Sequence, residues 1–152
     1  MLRWFFEGIK KMGNYRRENE NNQGDITNCI FCDRFIDREY IMENELSFAF
    51  YDQFPVNKGH VLIVPKRHYV DYFDSTPKEI AAFDDLINRV KKFLDDRLCP
   101  DGYNIGINIG EAAGQTVFHL HIHLIPRYFG DTKDPRGGIR NLKKPLVKYP
   151  DL

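Results

Sequence analysis

Phe118-His119-Leu120-His121-Ile122-His123-Leu124-Ile125 alternates imidazole and aliphatic side chains without a break. In an extended chain successive side chains point to opposite faces, so the three histidines share one face and Leu120, Ile122 and Leu124 the other. One histidine in such a run would read as a satisfied core residue. Three in strict alternation do not, because each buried neutral imidazole needs partners at both nitrogens. The segment therefore reads as a strand, Val117 to Ile125, with an apolar face for a core and a histidine face for chemistry.

Working outward, Tyr40 to Met42, Leu46 to Tyr51, His60 to Val64 and Tyr103 to Ile109 are further strand-forming runs bounded by turn residues. Asn57-Lys58-Gly59 is the turn that pairs the second with the third. Thr76-Pro77-Lys78-Glu79 is a capping box with proline at the first helical position. Behind it Ile80, Phe83, Leu86, Ile87, Val90, Phe93 and Leu94 recur at helical spacing, and Cys99-Pro100-Asp101-Gly102 ends the helix. Cys99 reads as a core residue there. Several strands around one long helix predict an α+β domain with a mainly antiparallel sheet.

The 152 residues allow one ordinary domain, and 22 basic against 22 acidic residues leave no general field for nucleic acid or a membrane surface. An anionic ligand must be held by local groups. No apolar run approaches the roughly 20 residues that span a bilayer. Residues 13 to 25 hold a single large apolar side chain, Tyr15, so residues 1 to 25 read as a flexible extension before a domain over 26 to 152. Its tail, 128 to 152, carries turn and basic residues such as Arg136, Arg140, Lys143 and Lys144. Three cysteines make no disulfide framework, and a reducing, cytoplasmic setting is the expectation.

Alternate strand residues lie roughly 7 Å apart, so His119 and His123 are about 13 Å apart and all three histidines cannot bind one metal ion. Two schemes remain: a catalytic zinc held by a His-x-His pair, or an imidazole acting as nucleophile. A neutral imidazole suits attack on phosphorus, because its pKa of roughly 6.5 leaves a lone pair free at neutral pH. Flanking histidines can orient it or protonate the leaving group. The preceding loop, with Gly106, Gly110 and Gly114, lets backbone N–H groups approach oxygen atoms, and Asn108, Gln115 and Thr116 add side-chain donors. Cys29-x-x-Cys32 is half of a metal site, or else two buried cysteines.

The run Gly114-Gln115-Thr116-Val117-Phe118-His119-Leu120-His121-Ile122-His123-Leu124-Ile125-Pro126-Arg127 resembles the histidine-triad (HIT) signature. Phe50-Tyr51-Asp52, Gly59-His60 through Pro65-Lys66-Arg67-His68, and Asn108 extend the match over most of residues 28 to 127. The resemblance is to nucleoside phosphoramidases and diadenosine polyphosphate hydrolases. It implies a five-stranded sheet with one long helix, a homodimer, a purine nucleotide substrate, and cleavage at the α-phosphate through a nucleotidyl-histidine. It makes His121 the nucleophile, with His123 and His119 beside it and His60 in support. Asn108, Gln115 and Thr116 would contact phosphates or leaving group, and Asp52 the ribose hydroxyls. Ile30, Phe31 and Phe50 would form the slot for the base, where Arg34 and Gln53 depart from the apolar residues many relatives carry. Some relatives complete a structural zinc site with the equivalents of His68 and His119 beside Cys29 and Cys32. Two other functions compete: a catalytic-zinc hydrolase using His119, His121 and a carboxylate, and a purine-nucleotide binding or scaffold protein with incidental catalysis.

Overall fold

The computed structural model describes residues 29–140, so the expectations for residues 1 to 25 and for Lys143 and Lys144 lie outside the described residues. Helix α1 is Ile30–Ile36 and helix α2 Pro77–Leu98. The strands are β1 Met42–Glu43, β2 Ser47–Tyr51, β3 Val61–Pro65, β4 Gly102–Gly106 and β5 Ile122–Arg127. They form one antiparallel sheet in the order β1-β2-β3-β5-β4. This is the expected α+β architecture.

Each face of the sheet is covered differently. On one, Phe83, Leu86, Val90 and Leu94 of α2 pack on Ala49, Val61, Ile63, Leu120, Ile122 and Leu124. Large aliphatic and aromatic side chains buried this completely contribute roughly 1.5–3 kcal/mol each, which makes this layer the main source of stability. On the other face, Cys29 and Phe31 at the start of α1 pack on Phe48, Phe50, Leu62 and Val64. Register carries that face across the sheet: Phe50 pairs with Leu62, Leu62 with His123, and His123 with Gly106. The histidines therefore open on the α1 side, away from the long helix.

Thr76 and Glu79 form the reciprocal capping box expected, with Pro77 in the first turn. Glu79 is buried and also takes two bonds of 2.9 Å from the Arg67 guanidinium, which holds its carboxyl down at about 2 from its ordinary 4.5. Because the folded value lies below the unfolded one, this contribution is present above pH 4.5 and is lost as pH falls towards 2. Glu79→Gln keeps the cap and removes the charge. It is expected to cost about 1–2 kcal/mol at neutral pH, discounted because Arg67 is half exposed. In chemical denaturation the gap to the wild type should close as the pH is lowered from 4.5 to 2.

Three local expectations need correction, and one helix carries no signal in the sequence. Cys99 is exposed rather than in the core: it caps α2 in the left-handed conformation with φ 46°, while Leu98, four residues after Leu94, continues the apolar stripe. The histidine strand begins at Ile122, not Val117. The ladder between β3 and β5 ends at the Ile63–Ile122 pair, and the 119–121 stretch is held by other bonds instead, Leu120 N–H to the Tyr69 carbonyl and His119 Nε2–H to that of Pro65. β4 stops at Gly106, short of Ile109. Helix α1 went unread because seven residues are too few for a helical period and its cap, Cys29, makes no side-chain capping bond.

Candidate functional site

His60 enters the site from the β2–β3 turn. Gly59 sits there at φ +86°, and a Cβ would come within 2.5 Å of Leu98, so the turn packs against the end of α2 only as glycine. The Val56 N–H donates to His60 Nδ1 at 3.2 Å, which fixes the proton of a neutral His60 on Nε2. That N–H faces His123 Nδ1 at 3.0 Å. His123 then carries its own proton on Nε2, an atom that is buried and has no partner among the described residues. Asp52 flanks the row: its Oδ2 lies 3.4 Å from His60 Nδ1, with no hydrogen bond to it in this tautomer, and its Oδ1 accepts from the Phe54 N–H.

His121 is oriented in the opposite sense. Its Nδ1 lies 2.8 Å from the His119 carbonyl, so Nδ1–H donates there and Nε2 keeps a free lone pair. Its ring lies 5.1 Å from that of His123 and edge-on to Phe31 at 5.2 Å. Burial pushes both imidazoles below the usual histidine range, His123 down to about 4 with help from the neighbouring His121 and His60. Both are neutral at pH 7, which the lone pair on His121 requires.

His119 turns away from this pair. Its Nε2–H donates to the Pro65 carbonyl at 3.0 Å, and Nδ1 faces Cys29 Sγ at 3.3 Å and Cys32 Sγ at 3.6 Å. His68 Nδ1 lies 3.5 Å from Cys32 Sγ. One ligand atom from each of these four residues falls within 4.8 Å of the others. Ligands around a tetrahedral zinc stand roughly 3.6 Å apart, given bonds of about 2.3 Å to sulfur and 2.0–2.1 Å to nitrogen. Donor set and spacing both fit zinc, and the Pro65 bond to the far nitrogen of His119 is the outer support metal-bound histidines commonly have. Burial pushes the Cys32 thiol up to about 12, a cost that a bound cation offsets by favouring thiolate. With its side chain directed to the cysteines, His119 does not converge with His121 on a shared metal, and the catalytic-zinc alternative loses its ligand pair.

Other expected residues divide. Gln115 is buried: its Oε1 accepts from the Gly110 N–H and its Nε2 donates to the carbonyls of Val70 and Val117. Both ends of the amide hold the loop, and the N–H groups of Ala113, Gly114 and Gln115 are bonded within it. The loop is a rigid support, not the open cradle of N–H groups that its glycines suggested. Gln115→Ala should lower the melting temperature by a few degrees, about 1–3 kcal/mol, because a buried N–H and two carbonyls lose their partner. Asn108 is half-buried and Thr116 exposed, and neither side chain has a hydrogen-bond partner among the described residues. Phe31 and Phe50 are buried in ring contact at 5.4 Å, with Ile30 exposed beside them. In the tail, Arg136 pairs with Asp134 in solvent. The backbone partners Val56 N–H and Pro65 C=O escaped the sequence reading, since no side-chain motif marks them.

The model of the HIT domain matches residues 34–130, well over half of the sequence. The chain belongs to the HIT family. Its HIT domain is 43% identical over 105 residues to an uncharacterized HIT-like protein of Mycoplasma genitalium, covering 67% of this chain and 74% of that one. It is 34% identical to the adenylylsulfatase HINT3 of Arabidopsis thaliana over 65% of this chain and 52% of the relative. Among solved structures, a zinc-bound histidine triad family protein from Mycobacterium smegmatis superposes with a TM-score of 0.64 at 37% identity, covering 70% of this HIT chain and 80% of that one.

Proposed function

We propose that this HIT protein cleaves a purine nucleotide at its α-phosphate through a nucleotidyl-His121 intermediate, with a nucleoside phosphoramidate, a dinucleoside polyphosphate or an adenylate as substrate. One observation carries the reading: a lone pair on His121 Nε2 stands beside a buried N–H on His123 that has no partner among the described residues. Buried polar groups without partners are uncommon, and one beside a nucleophile is a donor awaiting an oxygen. A pure nucleotide binder has no need of the lone pair, which disfavours the scaffold alternative.

In the proposed reaction Nε2 of His121 attacks the phosphorus, the bond to the leaving group breaks, and the departing amine or phosphate takes a proton from solvent. His123 Nε2–H donates to the oxygen on which charge develops, and His60 keeps His123 in the tautomer that can do so. Nucleotidylation leaves His121 positively charged, and the His119 carbonyl at 2.8 Å stabilises that charge through the Nδ1 proton. Water then attacks the phosphorus as the P–Nε2 bond to His121 breaks, its proton passes to solvent, and the neutral imidazole is restored. Asp52, with lone pairs to spare on Oδ2, would accept from the ribose hydroxyls. Ile30, Phe31 and Phe50 would bound the base, and Asn108 and Thr116 would donate to phosphate oxygens. Gln115 acts by holding the loop that carries Thr116.

Cys29, Cys32, His68 and His119 would hold one structural zinc ion, which closes a link between the start of α1, the end of β3 and the histidine segment. A thiol pair that ligates metal needs a reducing setting, in keeping with a cytoplasmic location. β4 is an edge of the sheet with Ile105 exposed, a surface that supports the expected homodimer. No described helix is long and apolar enough to cross a membrane. The test of substrate class is product analysis with adenosine 5′-phosphoramidate and diadenosine tetraphosphate. Release of AMP from either supports cleavage at the α-phosphate, and intact nucleotides after long incubation with the metal-loaded protein contradict it.

A further inference from the structure

Arg34 is a donor-only group placed at the edge of an apolar slot. Helical spacing sets it one turn beyond Ile30 and Phe31, on the same side of α1. Its guanidinium carbon lies 5.1 Å from the centre of the Phe50 ring, and the side chain is only one-quarter exposed. Of its five N–H donors, one on Nη1 is engaged, with Glu39 at 3.2 Å, and the others have no partner among the described residues. The ring row runs from Phe50 to Phe31 at 5.4 Å and from Phe31 to His121 at 5.2 Å. Arg34 and the nucleophile therefore stand at opposite ends of one aromatic row, as the base and the α-phosphate do in a nucleotide.

Resting on the nucleotide reading above, we infer that Arg34 reads the base, and that the site prefers a purine with oxygen at C6, guanine or hypoxanthine, over adenine. An all-apolar slot stacks any purine and hardly distinguishes them. A guanidinium changes this, because it offers two parallel donors and no acceptor. Guanine and hypoxanthine present O6 and N7 as a matching pair of acceptors, whereas adenine presents an amino donor in place of O6. The mismatch leaves donors unpaired in a partly desolvated place, which is how polar sites reject close analogues. The Glu39 contact keeps the guanidinium plane in place and leaves most of the fork free. A bidentate contact of this kind discriminates by about 1–3 kcal/mol, roughly 5- to 150-fold in affinity.

The test is titration of GMP, IMP and AMP into the metal-loaded wild type, Arg34→Leu and Arg34→Lys at one fixed salt concentration, with melting curves to confirm that each variant is folded. The wild type should bind GMP and IMP alike and at least fivefold tighter than AMP. Arg34→Leu should bring GMP and IMP down to the level of AMP and leave AMP within about twofold of its wild-type affinity. Arg34→Lys, which keeps the charge and loses the fork, should retain only part of the preference. Equal wild-type affinities for AMP and GMP would overturn the inference. So would an equal loss for all three nucleotides in Arg34→Leu, which would make Arg34 a charge for the phosphate. Failure of all three nucleotides to bind the wild type would overturn the nucleotide reading itself.

Discussion

His121→Ala is expected to lower turnover of a nucleoside 5′-phosphoramidate by roughly four orders of magnitude or more, while nucleotide binding stays within a few-fold of wild type. The size of the effect follows from what is removed. His121 Nε2 is a lone pair held ready at neutral pH by burial and by the Nδ1 bond to the His119 carbonyl. The neighbouring imidazoles offer no substitute. His123 Nδ1 is engaged with His60, and its Nε2 carries the proton. His119 is turned to the cysteines. Binding should survive, because the slot and Asp52 are untouched. His121→Gly with free imidazole added to the buffer makes the prediction sharper: partial recovery of turnover would show that the missing function is the imidazole. Turnover within tenfold of wild type in His121→Ala would contradict the role assigned to it.

Removal of metal is expected to lower the melting temperature by about 10 °C or more, since a structural zinc that bridges three segments contributes folding free energy directly. Cys29 precedes α1, His68 follows β3, and His119 precedes β5, so the cluster joins pieces that the sheet alone does not clamp together. Without a cation, two thiols and two imidazoles are left to satisfy one another in a buried place, and burial has already driven the Cys32 thiol up to about 12. Elemental analysis should find one zinc ion per chain. Chelation, or Cys32→Ser, should lower stability, and turnover should fall with it because the carbonyl that orients His121 belongs to a proposed ligand. Melting curves that coincide in chelator and in added zinc would contradict the proposed site.

The sequence showed the parts whose signal lies in side-chain order, and hid the parts made by backbone. Period-two alternation over residues 119 to 125 placed Leu120, Ile122 and Leu124 on the α2 core and the histidines on the other face. The alternation extends ahead of the strand, which begins only at Ile122, since an extended segment alternates with or without a ladder partner. The capping box at Thr76 was legible because its two side chains bond locally. The tautomers were not: they depend on the Val56 N–H and the carbonyls of Pro65 and His119, groups every residue possesses. Gln115 looked like a free donor because its partner Val70 lies 45 residues away. Helix α1 was too short to show a period, although it carries Phe31 and Arg34 into the site. Arg34 stood out as a departure from an apolar position, yet its chemistry became readable only with its place over Phe50.

The covalent step leaves its mark on the configuration at phosphorus. A substrate made chiral at the α-phosphorus with sulfur and an oxygen isotope is turned over in labelled water, and the product is analysed by phosphorus NMR. Attack by His121 followed by attack by water makes two in-line displacements, so net retention is expected. Net inversion would mean that water attacks the phosphorus directly, and a nucleotidyl-His121 intermediate would be ruled out.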